Sequence, residues 1–450
     1  MASIHAVVSL AGRRDQASPV VPPNVFNLPE SDSIGWTSPD HGYVLEILVR
    51  SISNRFSFSQ VCPERLHVAL LSAPSNFGPS PLSTESARRD GLHLVADKHG
   101  LSLWRTGYSS VPIYLHLEDQ TLYTSSEMTT LEVESCLPSI RLPSSSVLRM
   151  SPISGQICVS DCCEPIPRPD PSLDVHEAVN DLQAALMGSL SFVRREAPCV
   201  LFSGGLDSSL LACACARLSS EVRLMTCAAA GSSDYEWAPE AADLIGRPLS
   251  RIEMTDELVW ESLPTVIYAT GRTSTMDVEI ALCVYLAATK ALQSGSLVVS
   301  GQGPDELFAG YARHARLLDE RGPREVENMI RSDVMRTADV NLDRDRRASL
   351  AAGCEIVFPY MTTGFVNSAM RIPIEMKISP EGTRKAVFRQ LARSMGLPAE
   401  ISERPKKATQ YSSGCSELLI ETVRDRVRSD SGWTRRRRHR IVQSVLDKIG

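Results

Sequence analysis

Val200-Leu-Phe-Ser203-Gly204-Gly205-Leu206-Asp207-Ser208-Ser209-Leu-Leu-Ala is the stretch that decides the fold. An apolar run passes straight into Ser-Gly-Gly, and helical periodicity begins at about Ser208. Paired glycines let the backbone turn tightly and bring amide N–H groups against an anion, and the helix N-terminus adds its partial positive charge. The hydroxyls of Ser203, Ser208 and Ser209 can donate to phosphate oxygens. Asp207 would repel a phosphate unless a cation lay between them, so the stretch predicts Mg²⁺. A plain strand–turn–helix connection is the simpler reading, but six small or polar residues in this order after a buried strand argue against it. The Walker pattern G-x-x-x-x-G-K-S/T is absent here, so kinase or GTPase chemistry is not implied.

A second stretch repeats the grammar: Leu297-Val-Val-Ser300-Gly301-Gln302-Gly303-Pro304-Asp305-Glu306-Leu-Phe-Ala-Gly310-Tyr311. Between and around the two, helical periodicity (Val175, Val179, Leu182, Leu186, Leu190) alternates with apolar runs at 199–202, 222–228 and 296–300. This alternation predicts an α/β fold, a doubly wound parallel sheet over residues 173–450, with a largely helical tail beyond Arg313. Ligands of such sheets lie at the carboxyl ends of the strands, where both glycine turns fall. Four prolines at 163–172 mark a linker. Residues 1–162, with short β-branched runs between turn signals, predict a smaller α+β domain.

Composition narrows the classes. The 450 residues are 43% hydrophobic and 22% charged, with a net charge of −6, ordinary for a globular chain. That balance predicts no nucleic-acid partner and no membrane, and Arg435-Arg-Arg-Arg-His-Arg reads as a solvated face or tail. The 12 cysteines, scattered through apolar runs, read as reduced thiols and predict a cytoplasmic chain.

The first stretch resembles the pyrophosphate loop of the ATP pyrophosphatases, in the adenine nucleotide α hydrolase-like fold. The second resembles the S-G-E-G-x-D-E-x-F-x-G-Y segment of the asparagine synthetases, and Glu403-Arg404-Pro-Lys406-Lys407-Ala-Thr-Gln410-Tyr411-Ser resembles their R-x-K…Q-F/Y-S segment. The resemblance covers 173–415 and is closest to archaeal relatives of that family. It implies ATP and Mg²⁺ as cofactors, a small-molecule carboxylate and ammonia as substrates, and an AMP-forming amide ligase. It places ATP on Leu201, Ser203, Gly204, Gly205, Leu206, Asp207, Ser208, Ser209, Ser300 and Gly301. It puts the metal on Asp207 and Asp305, and catalytic roles on Lys406, Gln302 and Glu306. Gln302 stands where aspartate-using members carry Glu, which bears on the carboxylate.

The first domain resembles a degenerate Ntn-type class II glutamine amidotransferase through Val95-Ala-Asp97-Lys-His-Gly100 and Ser126-Glu127-Met128. Those enzymes use an N-terminal cysteine thiol as nucleophile. Ala2 stands in its place, so no glutaminase activity is expected, and a separate glutaminase partner is implied. Ser233 and Asp234 are candidates for nucleotide contact or for the cap of a 235–245 helix, and Asp277 and Glu279 for the acceptor pocket. Two alternatives stay open: a β-lactam-synthetase-like ligase with an internal amine, using Tyr268 or Tyr285 with Glu279, and a non-catalytic nucleotide-binding scaffold.

Overall fold

The computed structural model describes residues 3–10, 32–37, 43–50, 56–62, 65–71, 91–97, 100–105, 108, 111–118, 121–126, 138–144, 146–151, 156–161, 166–293, 297–404, 409–427 and 438–449. The chain divides into two compact units, Met1–Ile166 and Pro167–Gly450, with the division inside the proline-rich segment. No helix among the described residues is long and apolar enough to cross a membrane.

The first unit holds two six-stranded sheets. In one, Ser3–Leu10 pairs antiparallel with Tyr43–Arg50 and with Thr121–Ser125. In the other, Gly91–Asp97 lies antiparallel between Arg65–Leu71 and Gly100–Arg105. Alternation of Leu92, Leu94 and Ala96 with Leu101 and Leu103 across the pair buries apolar side chains there. The named elements among the described residues of this unit are strands, the β part of the expected α+β domain.

The second unit is built on a five-stranded sheet, all parallel, in the spatial order Leu249–Met254, Arg223–Ala229, Cys199–Leu201, Leu297–Val299, Glu355–Val357. Counted along the chain this is 3-2-1-4-5, and the order reverses between Cys199–Leu201 and Leu297–Val299. Ligands of open parallel sheets bind at such a reversal. The central strands are apolar at nearly every position because helices cover both faces: Val200, Leu224, Val298 and Ile356 are wholly buried.

Two expectations need correction. The sheet holds two strands besides the three apolar runs read from the sequence. Leu249-Ser-Arg-Ile-Glu-Met lies at an edge and keeps polar side chains exposed, which hides its strand character. Glu355-Ile-Val is a three-residue strand inside the region read as helical, at the opposite edge. The helix expected from Ser208 starts at Leu206, capped by the extended Gly205. Cys158, Cys199, Cys213, Cys215, Cys227, Cys283, Cys354 and Cys415 are free thiols, and burial pushes Cys199 up to about 11, far from reactive thiolate character.

Candidate active site

Both glycine turns open into one cavity of about 1070 Å³, lined by Leu201, Ser203, Gly205 to Ser208, and Ser300 to Gly303. The first turn is held open by its own hydrogen bonds. The Ser203 N–H donates to Ser208 Oγ at 3.2 Å, and Ser208 Oγ donates to the Gly205 carbonyl at 3.3 Å. Gly204 takes φ +69°, and a Cβ there would lie 2.7 Å from the Trp237 ring. The same indole donates from Nε1 to the Gly204 carbonyl at 2.8 Å. Only glycine fits that turn.

Asp207 and Asp305 meet at one point. Lys385 Nζ lies 2.8 and 2.7 Å from the two Asp207 oxygens and 2.8 Å from Asp305 Oδ1. Burial works against the Lys385 charge, but the attraction of both carboxylates outweighs it and holds the ammonium above the usual lysine range. Gly310 makes the approach possible, since a Cβ there would sit 2.1 Å from Asp305 Oδ1 and 2.5 Å from Lys385 Cε. Tyr360, wholly buried, donates its hydroxyl to the Asp207 carbonyl at 3.0 Å and fixes the helix start.

Glu306 follows Asp305 and is 2% exposed. Its Oε1 accepts from Tyr311 Oη at 2.6 Å and from Asn341 Nδ2 at 3.0 Å, while Oε2 is buried without a partner. Burial and then the Asp305 charge push this carboxyl up to about 7. Asn341 comes from a π-helical turn, Ala338–Leu342, where widened helical geometry aims the side chain back at the site.

At the other end, Met225, Thr226, Ser233, Asp234, Ser412 and Ser413 line the cavity. Ser412 Oγ donates to Asp234 at 2.8 Å, and the Ala229 N–H donates to the Ser413 carbonyl at 2.8 Å, so Ser412 and Ser413 close over the strand ends. Arg404 lies over the Trp237 ring at 4.6 Å and donates to Ser233 Oγ at 3.0 Å. The cap of the Ser233–Ile245 helix is Ser232, not Ser233 or Asp234.

The expected site residues separate. Leu201, Ser203, Gly205, Leu206, Asp207, Ser208, Ser300, Gly301, Gln302, Asp305 and Glu306 share the cavity. Gly204 and Ser209 stand behind its wall, and Ser209 is wholly buried. Lys406 lies outside the described residues. Asp277 and Glu279 do not line the cavity, nor do Tyr268 and Tyr285. Arg344 and Asp345, unremarked in the sequence, do. Asp277 instead accepts from Ser274 Oγ at 2.7 Å and pairs with Arg344 at 3.2 Å. Burial raises its carboxyl, but Ser274, Arg272 and Arg344 together hold it below the usual range. Lys385 was missed as well; its signal was one of two adjacent cations in Gly382-Thr-Arg384-Lys385, with nothing local to tie it to Asp207.

A doubly wound sheet with a large cavity at its reversal point, floored by paired carboxylates and a glycine turn, is the architecture of a nucleotide-binding enzyme. The chain belongs to the asparagine synthase family, whose model matches residues 189–326 and 316–445. It is 31% identical over 282 residues to a Methanocaldococcus jannaschii protein provisionally named asparagine synthetase 1, glutamine-hydrolysing, covering 56% of this chain and 51% of that one. It is 28% identical over 269 residues to Escherichia coli asparagine synthetase B, glutamine-hydrolysing, covering 55% and 47%. The chain thus spans about half the length of these relatives. Among solved structures, NMN synthetase from Francisella tularensis aligns with a TM-score of 0.31 at 11% identity, over 62% of this chain and 96% of that one, a likeness too slight to carry an argument.

Proposed function

We propose that this chain is an ATP-dependent, AMP-forming amide ligase that adenylates a carboxylate and passes the acyl group to ammonia. One observation carries the reading: two glycine turns on neighbouring parallel strands bring Asp207 and Asp305 onto a single point inside a cavity roomy enough for nucleotide and acceptor. Two converging carboxylates suit Mg²⁺, which is usually held by one or two carboxylates together with substrate phosphates. Bound there, the ion would neutralise the charge on the triphosphate and its departing pyrophosphate.

The chain's own groups do the rest. Ser203, Ser208 and the amides at the start of the Leu206–Ala216 helix hold the β- and γ-phosphates. Leu201 and the end of Arg223–Ala229 border the adenine, with Ser300 and Gly301 on the other side of the triphosphate. A substrate carboxylate oxygen attacks the α-phosphorus, the bond to the bridging oxygen breaks, and pyrophosphate leaves. Ammonia then attacks the acyl carbon, AMP departs, and the amide loses its extra proton to a base. By resemblance, Lys406 offsets charge on the adenylate and pyrophosphate. Gln302 and Glu306 face the acyl group. Neutral Gln302, where aspartate-using members carry Glu, bears on which carboxylate is activated.

In this reading ammonia is free or comes from a separate glutaminase, in the cytoplasm. The internal-amine alternative loses its candidate bases, because Tyr268, Tyr285 and Glu279 do not line the cavity. The experiment is incubation with Mg²⁺–ATP and ammonium, with and without aspartate, reading products by mass spectrometry. AMP with asparagine supports the full reading; AMP with another carboxylate changes the acceptor alone; no AMP with any carboxylate sinks it.

A further inference from the structure

Lys385 sits where a metal pair would need open space. Its side chain is 6% exposed, its Nζ touches both aspartates at 2.7–2.8 Å, and it also lines the nucleotide cavity. Its backbone is unusual too. At φ 58° and ψ 33° it is one of two non-glycine residues in the left-handed region among the described residues, and it caps the Ala386–Ser394 helix from there. A side chain rarely adopts that conformation, and strain of this kind concentrates where function fixes a residue. Packing explains the position only in part, since the Phe388 ring is 6.0 Å from Nζ.

We propose that Lys385 is the resident counter-ion of the Asp207–Asp305 pair, and that its ammonium and a divalent cation occupy the pair in turn. The proposal rests on the ligase reading for the identity of the incoming ion. Without a cation, two carboxylates aimed at one point repel. The ammonium removes that conflict and keeps both side chains aimed at one point. A divalent ion draws its oxygen ligands to about 2.1 Å, so neighbouring ligand oxygens come within about 3 Å of each other. No room is left between them for Nζ. The displaced ammonium keeps its place on the cavity wall, and the nearest anion is then the triphosphate that arrives with the metal. One charge thus serves the empty site and the loaded site in succession, and the free enzyme takes up metal poorly until nucleotide gives Lys385 another partner.

The test is Mn²⁺ binding, followed by electron paramagnetic resonance, for the full chain and for Lys385→Met, with and without a non-hydrolysable ATP analogue. Without nucleotide, Lys385→Met should bind one Mn²⁺ at least tenfold tighter than the unaltered protein. Mn²⁺ should also raise the melting temperature of the variant while leaving that of the unaltered protein unmoved. Equal or weaker affinity in the variant overturns the proposal. If Lys385→Met does not fold, crystals of the unaltered protein soaked in Mn²⁺ decide: the ion between the aspartates with Nζ withdrawn supports the exchange, and Nζ still bridging both overturns it. Uptake of Mn²⁺ with the analogue, but no difference between the proteins without it, removes this inference alone. No uptake even with the analogue removes the metal-dependent ligase reading and this inference with it.

Discussion

Two clusters of charged side chains border the same cavity, and they are built to opposite rules. At the glycine turns, Asp207 and Asp305 share the single ammonium of Lys385. A short way along the wall, Asp277, Asp343 and Asp345 interlock with Arg272, Arg344 and Arg347 through contacts of 2.8–3.5 Å. Three acids meet three bases, and spare guanidinium hydrogens go to backbone carbonyls of Asp339 and Thr270. The second cluster pairs its charges mostly within itself and ties the Asp343–Ala351 helix to the start of the Thr275–Ala291 helix. The first joins two carboxylates through one ammonium, and on the proposal above it exchanges that ammonium for a divalent cation. A buried charge cluster is thus read by its balance before its composition.

That difference can be broken from either side. Asp207→Ala should have the largest effect, roughly a 10³-fold loss of AMP formation. The melting temperature should change little, and AMP release together with a thermal melt checks both. Arg344→Met attacks the second cluster and leaves Asp277 and Asp345 without their shared partner. It should cost about 3–5 kcal/mol of stability in chemical denaturation, with AMP formation per folded molecule falling far less than in the Asp207 variant.

Glu306 sharpens the comparison through pH. Its folded value of about 7 lies above the ordinary carboxylate value. Between about pH 4.5 and 7 the folded state therefore binds more protons than the unfolded chain, and stability falls as pH rises through that window. Glu306→Gln should flatten the fall by about 1–3 kcal/mol, in denaturation curves taken from pH 5 to 8. Glu279, also pushed up to about 7 by burial, should keep part of the slope. At the small end, the solvent-exposed Arg393–Glu403 pair at 2.6 Å is half-exposed on both sides. Arg393→Ala should shift stability by less than about 1 kcal/mol, the scale against which the two cavity clusters are judged.

The sequence shows plainly what is local. Each glycine turn is one unbroken run of strand, turn and helix, so its residues could be placed against a phosphate without knowing the sheet order. Pairings between distant segments left no such trace. Lys385 lies 178 residues from Asp207 and reads, in its own neighbourhood, as one more cation at a helix start. Asp343-Arg-Asp-Arg-Arg reads as a solvated helix face, yet Asp343 to Arg346 are at most 3% exposed. Only their partners on the Thr275–Ala291 helix and the turn before it explain why those charges tolerate burial. Asp277 likewise suggested an acceptor contact because its partner Arg344 was out of view, 67 residues along the chain.

The spread of the site along the chain has a consequence for the life of the protein. Asp207 and Asp305 come together only once the strands that precede them lie side by side, and Lys385 joins only when the chain has run almost to its last helices. A nascent or half-folded molecule therefore presents a glycine turn but no complete phosphate-handling centre. On the ligase reading proposed above, it cannot spend nucleotide before its architecture is finished. Tight binding of Mg²⁺–ATP analogue then works as an assay of complete folding, reporting on the whole second unit where a local probe would report on one segment.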